Sequence, residues 1–324
     1  MTGSRHLSGW RYRAVMFSVV FSAVGYLGFS LWGGWESVRN AIGEVGFTGI
    51  LVALLMSLIN YALRFTRWQR YLSALGHPVP WKPSLKIYLA GFALTTTPGK
   101  AGEALRGVLL KPWAVPYPKS FAAFFSERLS DLFGVVLMSL FGLTLYPEAR
   151  PMIVIGVALM LVGFLVLSQR RLIEGFAKLL PTPGRKLVGL ARHLLNVLLE
   201  AQRCHRPGLL VNATLLSVLA WSSEALAFHW ILDRMGADIP LAFAVFVYAM
   251  AMLAGAISFM PGGLGSSEAV MVALLVWKGM SGADAVAATV LIRLATLWFA
   301  VGIGAAALAS LKKSGIETPK NTMS

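Results

Sequence analysis

A proline–glycine break between two apolar runs occurs twice in this chain. The first copy reads Thr-Pro-Gly-Lys-Ala-Gly-Glu-Ala at residues 97–104, and the second reads Pro-Gly-Gly-Leu-Gly-Ser-Ser-Glu-Ala at residues 261–269. Because proline and glycine interrupt helices, each stretch predicts two short helical arms around a break. The predicted break residues are Pro98, Gly99 and Gly102 in the first copy and Pro261, Gly262, Gly263 and Gly265 in the second.

Other matching positions indicate that the two breaks belong to an internal repeat. Glu103 and Glu268 are each followed 25 positions later by an Arg-Leu pair, which begins at Arg128 and at Arg293. Upstream landmarks recur 160 positions later: Leu75-Gly76, Pro80 and Tyr88 return as Met235-Gly236, Pro240 and Tyr248. This series of matches predicts two copies of one folding unit.

The composition excludes a soluble globular domain. Charged residues make up 13% of the chain, about half the share in soluble proteins, and hydrophobic residues make up 57%. We therefore expect an all-α polytopic membrane protein with about six transmembrane helices and two re-entrant helical hairpins. The predicted transmembrane helices are 14–32, 47–66, 119–145, 151–168, 208–232 and 285–308, and the predicted hairpins are 84–111 and 241–278.

These elements divide the chain into five segments. Residues 1–46 hold the first transmembrane helix and a periplasmic loop, residues 47–145 the first repeat unit, and residues 207–310 the second. Between the units, residues 146–206 hold a connecting span and a basic stretch with leucines at helical spacing. That spacing predicts an amphipathic helix on the cytoplasmic membrane surface, and a solvated charge run is the alternative. Residues 311–324 form a cytoplasmic tail.

The distribution of basic residues predicts the orientation. If both termini are cytoplasmic and each hairpin returns to its own side, twenty basic residues fall in cytoplasmic segments. Only Arg39, Arg150, Arg234 and Lys278 fall outside. The positive-inside rule favours this topology. It also inverts the second unit relative to the first, and inverted repeats with broken helices are a recurrent plan of transporters.

Ten ionisable residues are predicted at membrane depth or at its border. Because an isolated charge there is costly, we expect them to pair or to face a wet cavity. The basic members are Arg64, Lys100, Arg106, Arg128 and Arg293, and the acidic members are Glu103, Glu127, Asp131, Glu224 and Glu268.

The repeat predicts two of the ion pairs. Glu103 with Arg128 and Glu268 with Arg293 recur in both units, although most surrounding residues differ. Each glutamate also lies in the first turn of a hairpin arm, where an acid favours the positive helix end. The pairs are therefore open to two interpretations, as clamps that hold the hairpins or as gates for a substrate. A third pair, Arg64 with Glu224, is suggested by the 160-residue offset.

The hairpin tips are candidate substrate sites. Helix N-termini after Gly99–Gly102 and Gly262–Ser266 would offer backbone N–H groups to a phosphate or another anion. Lys100 adds a positive charge to the first tip, and its counterpart in the second is Gly263. Lys100 either serves the substrate or is a lysine that snorkels to the membrane interface.

Three stretches resemble one membrane family. The segment 97–106, the Ser-Glu-Arg-Leu-Ser-Asp segment at 126–131 and the 260–265 loop with Glu268 are similar to the flippase-like transmembrane domain of lysylphosphatidylglycerol synthase, also called multiple peptide resistance factor. The resemblance covers about residues 47–310. It implies lipid translocation between leaflets, with both re-entrant hairpins lining a cavity. It also implies that Glu103, Glu127, Arg128, Asp131, Glu268 and Arg293 lie in or near that cavity.

The predicted function is that of a lipid flippase or transporter of the bacterial inner membrane. The chain stops at Ser324 without the aminoacyl-transferase domain of the synthase, so we do not expect synthase activity. The alternatives are a membrane-embedded enzyme acting on lipid headgroups, with a carboxylate as general base, and a non-transporting partner of a separate lipid synthase.

The predicted partners follow from this function. They are a membrane lipid, a lipid-synthesising enzyme and a second copy of the chain in a homodimer, with no nucleic acid. Anionic phospholipids, glycolipids, polyprenyl-linked lipids and hopanoid-type lipids remain open as substrates. No cofactor or metal is expected, because the histidines and the single cysteine show no ligand spacing and no phosphate-binding loop is present. Glu224 and Asp131 are candidate proton carriers.

Overall fold

The computed structural model describes residues 28, 35–96, 101–145, 147–169, 174–175, 197–258 and 260–314. Helices dominate these ranges, and no strand occurs within them. In chain order the helices are α1 Trp35–Ala74, α2 Trp81–Ala90, α3 Ala101–Leu110, α4 Tyr117–Leu143, α5 Arg150–Ser168, α6 Pro207–Arg234, α7 Leu241–Ile257, α8 Ser266–Trp277, α9 Gly282–Arg293 and α10 Phe299–Ser314.

Three of the described helical segments are long and apolar enough to cross a membrane. They are Trp35–Ala74, Pro207–Arg234 and Gly282–Leu311, which joins α9 to α10. Apart from Gly28, the predicted first span at 14–32 lies outside the described residues, and so does most of the predicted amphipathic stretch. The total of six spans therefore stays a prediction, while the all-helical fold is confirmed for the described part of the chain.

Helix α1 corrects the prediction of a loop at 33–46. Residues from Trp35 are already helical, and the chain only kinks at Gly46, where φ is 64° and ψ is 174°. The stretch before Gly46 contains no proline and buries Val38, Ala41 and Val45, so it gains more from packing as helix than as loop. The helix also continues to Ala74, beyond the predicted end at Thr66.

The first break has the predicted helix–break–helix form. Helix α2 is followed by a 3-10 turn at Gly91–Leu94, and α3 begins at Ala101. The first arm thus begins at Trp81, three residues before the predicted start of the hairpin at residue 84. Pro98, Gly99 and Lys100 lie outside the described residues. Gly102 and Glu103 lie in α3, and only their backbone is described.

The second break is described in greater detail. Helix α7 ends at Ile257, a turn follows at Pro261–Gly263, and α8 begins at Ser266. Gly262, Gly263 and Gly265 have φ values of 62°, 68° and 86°, in the left-handed region that favours glycine. A residue with a side chain would therefore be strained at each of these three positions.

The two predicted repeat units share their local structure at one pair of matching landmarks. Helix α1 ends with Gly76 N–H donating to Ser73 O and His77 N–H donating to Leu72 O. Helix α6 ends with the same pattern 160 residues later, from Gly236 to Asp233 and from Ala237 to Leu232. Gly76 and Gly236 both have positive φ, 80° and 72°. The match indicates that the two helix ends are built alike.

Packing between the units is reciprocal. Helix α1 packs along α6, which occupies the corresponding place in the second unit. Helix α2, the first arm of the first break, packs against α10, and α7, the first arm of the second break, packs against α4. The first arm of each broken pair thus packs against the last long helix of the other predicted unit.

The two broken pairs of helices pack against opposite halves of α1, and their breaks lie close to each other. The second broken pair shares a hydrophobic core with Val38–Ala53 of α1, and the first shares a core with Tyr61–Leu75. A methyl group added at Gly262 would lie 3.4 Å from Thr96 Cγ2 and 3.5 Å from the Thr95 carbonyl oxygen. The second break therefore contacts the residues that lead into the first.

We predict that Gly304→Ala will destabilise the protein strongly. A Cβ atom there would lie 2.7 Å from Phe92 C and 2.9 Å from Leu89 O, and backbone atoms cannot move aside as a side chain can. The matched control is Gly302→Ala on the same helix, where an added Cβ meets nothing within 4 Å. Thermal unfolding in detergent should show a lower Tm for Gly304→Ala alone; equal Tm values would contradict the packing of α10 against the first break.

Candidate functional site

Six charged side chains from three helices form one buried group, which we call the arginine–carboxylate cluster. It consists of Arg64 and Arg67 of α1, Arg106 of α3, and Glu127, Arg128 and Asp131 of α4. Helical spacing explains its assembly, because side chains three or four positions apart share a helix face. Arg64 lies ten residues before the end of α1, roughly 15 Å along the helix axis.

Asp131 lies at the centre of this cluster. Its Oδ1 accepts a hydrogen bond from Arg67 Nη1 at 2.7 Å and one from Trp221 Nε1 at 3.0 Å. Arg67 also donates to Ser217 Oγ, which in turn donates to Ala213 O. Since Ser217 and Trp221 belong to α6, this cluster joins the first repeat unit to the second.

Glu127 neutralises a second arginine. Its Oε2 accepts a hydrogen bond from Arg106 Nη1 at 2.8 Å, and neither side chain is appreciably exposed. The Arg106 guanidinium lies 4.3 Å from the centre of the Tyr88 ring and 5.2 Å from that of Trp68. These cation–π contacts fix Arg106 against the first broken pair of helices.

Gly91 makes room for Arg106. An added Cβ at this glycine would lie 3.0 Å from Arg106 Cγ. A larger residue would therefore displace the guanidinium from its aromatic neighbours.

Arg64 and Arg128 are bound less closely. Each approaches Asp131 Oδ2 with its Nη2 atom at 3.5 Å, and Oδ2 has no hydrogen-bond partner. Neither side chain bonds through its Nε atom. Arg128 is also the most exposed member of the cluster, with 35% of its side chain accessible.

A second charged centre holds the second break in place. Glu268 Oε1 accepts a hydrogen bond from Arg293 Nε at 2.6 Å, which confirms the predicted pair. Glu268 Oε2 accepts from Gly265 N–H at 2.6 Å, and Arg293 Nη2 donates to Gly262 O at 2.8 Å. The pair thus satisfies backbone groups on both sides of the turn.

This geometry revises the anion site predicted at the second tip. The backbone N–H of Gly265 is bonded to the Glu268 carboxylate, so a negative group already caps the start of α8. The clamp interpretation of this pair accounts for all of its described hydrogen bonds.

Glu224 corrects another prediction. Its Oε2 accepts a hydrogen bond from Tyr248 Oη at 2.5 Å, which links α6 to α7. The predicted Arg64–Glu224 ion pair is not formed, because Arg64 instead stacks on Trp221 and approaches Asp131. Among the described side chains, no basic group lies within ion-pair distance of Glu224.

Of the other predicted site residues, Lys100 lies outside the described residues and the side chain of Glu103 is not described. The Glu103–Arg128 pair therefore stays a prediction. Arg67 was assigned to a cytoplasmic segment by sequence, but it is fully buried in the cluster. Its spacing of three residues from Arg64 was the one signal that placed both on the same face of α1.

His205 lies near the arginine–carboxylate cluster but adds no charge to it. Burial lowers the pKa of this histidine, which precedes α6, to about 4, so its ring is neutral at pH 7. Its Nε2 lies 3.2 Å from Ser126 Oγ of α4. Within the described part of the chain, no group of three or more His, Cys, Asp or Glu side chains has the arrangement of a metal site. The arginine–carboxylate cluster instead offers charged groups for binding, and its described arginines outnumber its described carboxylates.

We predict that Arg67→Gln will cost about 3–5 kcal/mol of stability, because it leaves the buried Asp131 carboxylate without its closest cation. The matched control is Arg70→Gln, which changes an exposed arginine one turn further along α1. Unfolding curves in mixed detergent micelles measure both effects. A loss no greater for Arg67→Gln than for Arg70→Gln would contradict the proposed pairing.

Comparison with known proteins identifies a family for this chain. The family described as the lysylphosphatidylglycerol synthase transmembrane region matches residues 15–304. A UPF0104 membrane protein of Pyrococcus horikoshii is 26% identical over 304 residues, covering 84% of this chain and 90% of that protein. A UPF0104 membrane protein of Methanothermobacter thermautotrophicus is 24% identical over 318 residues, covering 90% and 93%. The resemblance predicted from the three motifs is confirmed.

Proposed function

Because the chain belongs to the family of the lysylphosphatidylglycerol synthase transmembrane region, we propose that it is a flippase for a polar-headgroup lipid. The lipid would move between the leaflets of the bacterial inner membrane through a central charged cavity. The observation that carries this proposal is the contact between the two helix breaks, each of which lies beside a buried charged group.

The reciprocal packing supports an inverted repeat. The two broken pairs pack against opposite halves of α1, and each is covered by a helix of the other unit. In transporters of this plan, the substrate site lies where the units meet. We therefore place the lipid headgroup beside the meeting point of the breaks, with both broken pairs as re-entrant hairpins.

The clamp at the second break offers a means of gating. Arg293 bonds both to Glu268 and to the Gly262 carbonyl, so loss of these bonds frees the turn that contacts Thr96. A headgroup that competes for Arg293 or Glu268 would open one side of the path, and its departure would restore the clamp.

Glu224 is the better of the two proposed proton carriers. Asp131 is surrounded by three arginines, which favour its ionised form. Glu224 has one hydrogen bond from an uncharged phenol, so a change in its charge disturbs fewer ion pairs. Coupling of transport to a proton gradient would therefore act through α6 and α7.

We predict that liposomes containing the protein will translocate a fluorescent lipid with headgroup selectivity, and that Glu268→Gln will abolish most of this activity while the protein still inserts. The neutral amide cannot hold Arg293 as an ion pair. Glu44→Gln, which alters an exposed acid of α1, is the control. Dithionite quenching of outer-leaflet label measures translocation; wild-type rates in Glu268→Gln would contradict the gating role.

We predict further that both termini are cytoplasmic, as the basic residues indicate. In a variant without Cys204, a cysteine placed at the exposed Asp238 should react with an impermeant thiol reagent in intact cells, and one placed at Arg203 should react only after lysis. The opposite labelling pattern would reverse the proposed topology.

A further inference from the structure

The arginine–carboxylate cluster carries more positive than negative charge. Among its described side chains, Arg67 and Arg106 contact Asp131 and Glu127 at 2.7 and 2.8 Å and so neutralise the two acids one for one. Arg64 and Arg128 share Asp131 with Arg67, so among the described side chains four guanidinium groups face two carboxylates. An excess of two positive charges at a largely buried site is unfavourable unless an anion or water meets it.

The guanidinium groups of Arg64 and Arg128 both approach the same oxygen atom, Asp131 Oδ2. Arg64 Nη2 and Arg128 Nη2 both lie 3.5 Å from Asp131 Oδ2, which is within ion-pair range but too long for a good hydrogen bond. Their Nε atoms and Oδ2 itself have no hydrogen-bond partners. Both guanidinium groups therefore keep an unpaired, buried N–H donor, and guanidinium N–H groups are suited to bidentate contacts with anionic oxygens.

Aromatic rings hold both guanidinium groups in position. The Arg64 guanidinium lies 5.2 Å from the centre of the Trp221 ring, and that of Arg128 lies 5.3 Å from the centre of the Phe124 ring. The Arg64 side chain is 11% exposed and the Arg128 side chain 35% exposed. A ligand can thus approach from the Arg128 side while Arg64 remains sheltered, where its charge is screened less.

We propose that Arg64 and Arg128 bind the phosphate of a lipid that carries a phosphate monoester. This inference rests on the proposed flippase function and specifies its substrate class. A phosphate monoester carries between about −1.5 and −2 charges at pH 7, which matches two surplus arginines. Its oxygens accept the paired N–H donors of a guanidinium in the same way as a carboxylate does.

The net positive charge of the described cluster also determines which lipid headgroups the site favours. A zwitterionic phosphodiester headgroup carries an ammonium group, which the four arginines of the cluster repel. A neutral headgroup would leave the excess positive charge of the described cluster without a counter-charge. The site therefore favours phosphate monoester lipids over zwitterionic and uncharged lipids.

A binding experiment on the purified full chain in detergent tests this site. The probes are a short-chain phosphatidic acid, the diacylglycerol and the phosphatidylcholine with the same chains, and inorganic phosphate. We expect phosphatidic acid to raise the Tm in a saturable manner, and the other three probes to do so at least about tenfold more weakly. Inorganic phosphate binding as tightly as the lipid would assign the site to the free ion and overturn the lipid proposal.

Variants connect that binding to the two arginines. Arg64→Gln and Arg128→Gln should each weaken phosphatidic acid binding by about tenfold, as expected for one lost charge-assisted contact. Arg70→Gln, the exposed control on α1, should leave it unchanged. If Arg64→Gln fails to fold, the partly exposed Arg128→Gln still decides the question. Unchanged affinity in Arg128→Gln, or equal binding of diacylglycerol, would overturn the site.

The liposome assay separates this inference from the flippase proposal. Selective binding of phosphatidic acid without translocation of any lipid would support the anion site and contradict the flippase function. Equal translocation of lipids with and without a phosphate monoester, unchanged by Arg128→Gln, would support the flippase function and contradict the site.

Discussion

Polar groups removed from water need partners, and this constraint shapes both helix breaks. A break leaves backbone N–H and C=O groups without helical partners, at a cost that rises in an apolar environment. At the second break, Glu268 accepts from Gly265 N–H and Arg293 donates to Gly262 O, so one ion pair satisfies the turn. The sequence spacing of 25 residues between them places Glu268 on α8, which follows the turn, and Arg293 at the end of α9, the next helix.

The same constraint explains why the charges gather where the repeat units meet. Arg67 reaches Asp131 of its own unit and Ser217 of the other, and Trp221 of α6 also donates to Asp131. Burial of so many charged groups is a poor way to gain stability, because desolvation offsets most of the attraction. Their concentration beside the breaks is easier to understand as part of a binding path for a charged headgroup.

Sequence predicted the features that repeat, and missed those that arise from packing between unlike residues. The glycine-dependent turn and the Glu268–Arg293 pair have matching spacings in both units, so the pattern itself pointed to them. Ser217 bonds to Arg67 but carries no charge, and nothing in the sequence marks it. Tyr248 is marked as the counterpart of Tyr88, but that match does not predict its hydrogen bond to Glu224. Arg67 was missed because it lies near a helix end, where the positive-inside rule suffices to explain a basic residue.

The most direct test of this account is whether the two breaks meet. In a Cys204→Ser background, cysteines in place of Thr96 and Gly262 should be joined by a short thiol cross-linker, because an added Cβ at Gly262 lies 3.4 Å from Thr96 Cγ2. A variant with cysteines at Thr96 and the loop residue Asp238 should not be joined. Cross-linking of the first pair alone is the predicted result. Failure of the first pair in folded protein, or equal cross-linking of both pairs, would contradict the account.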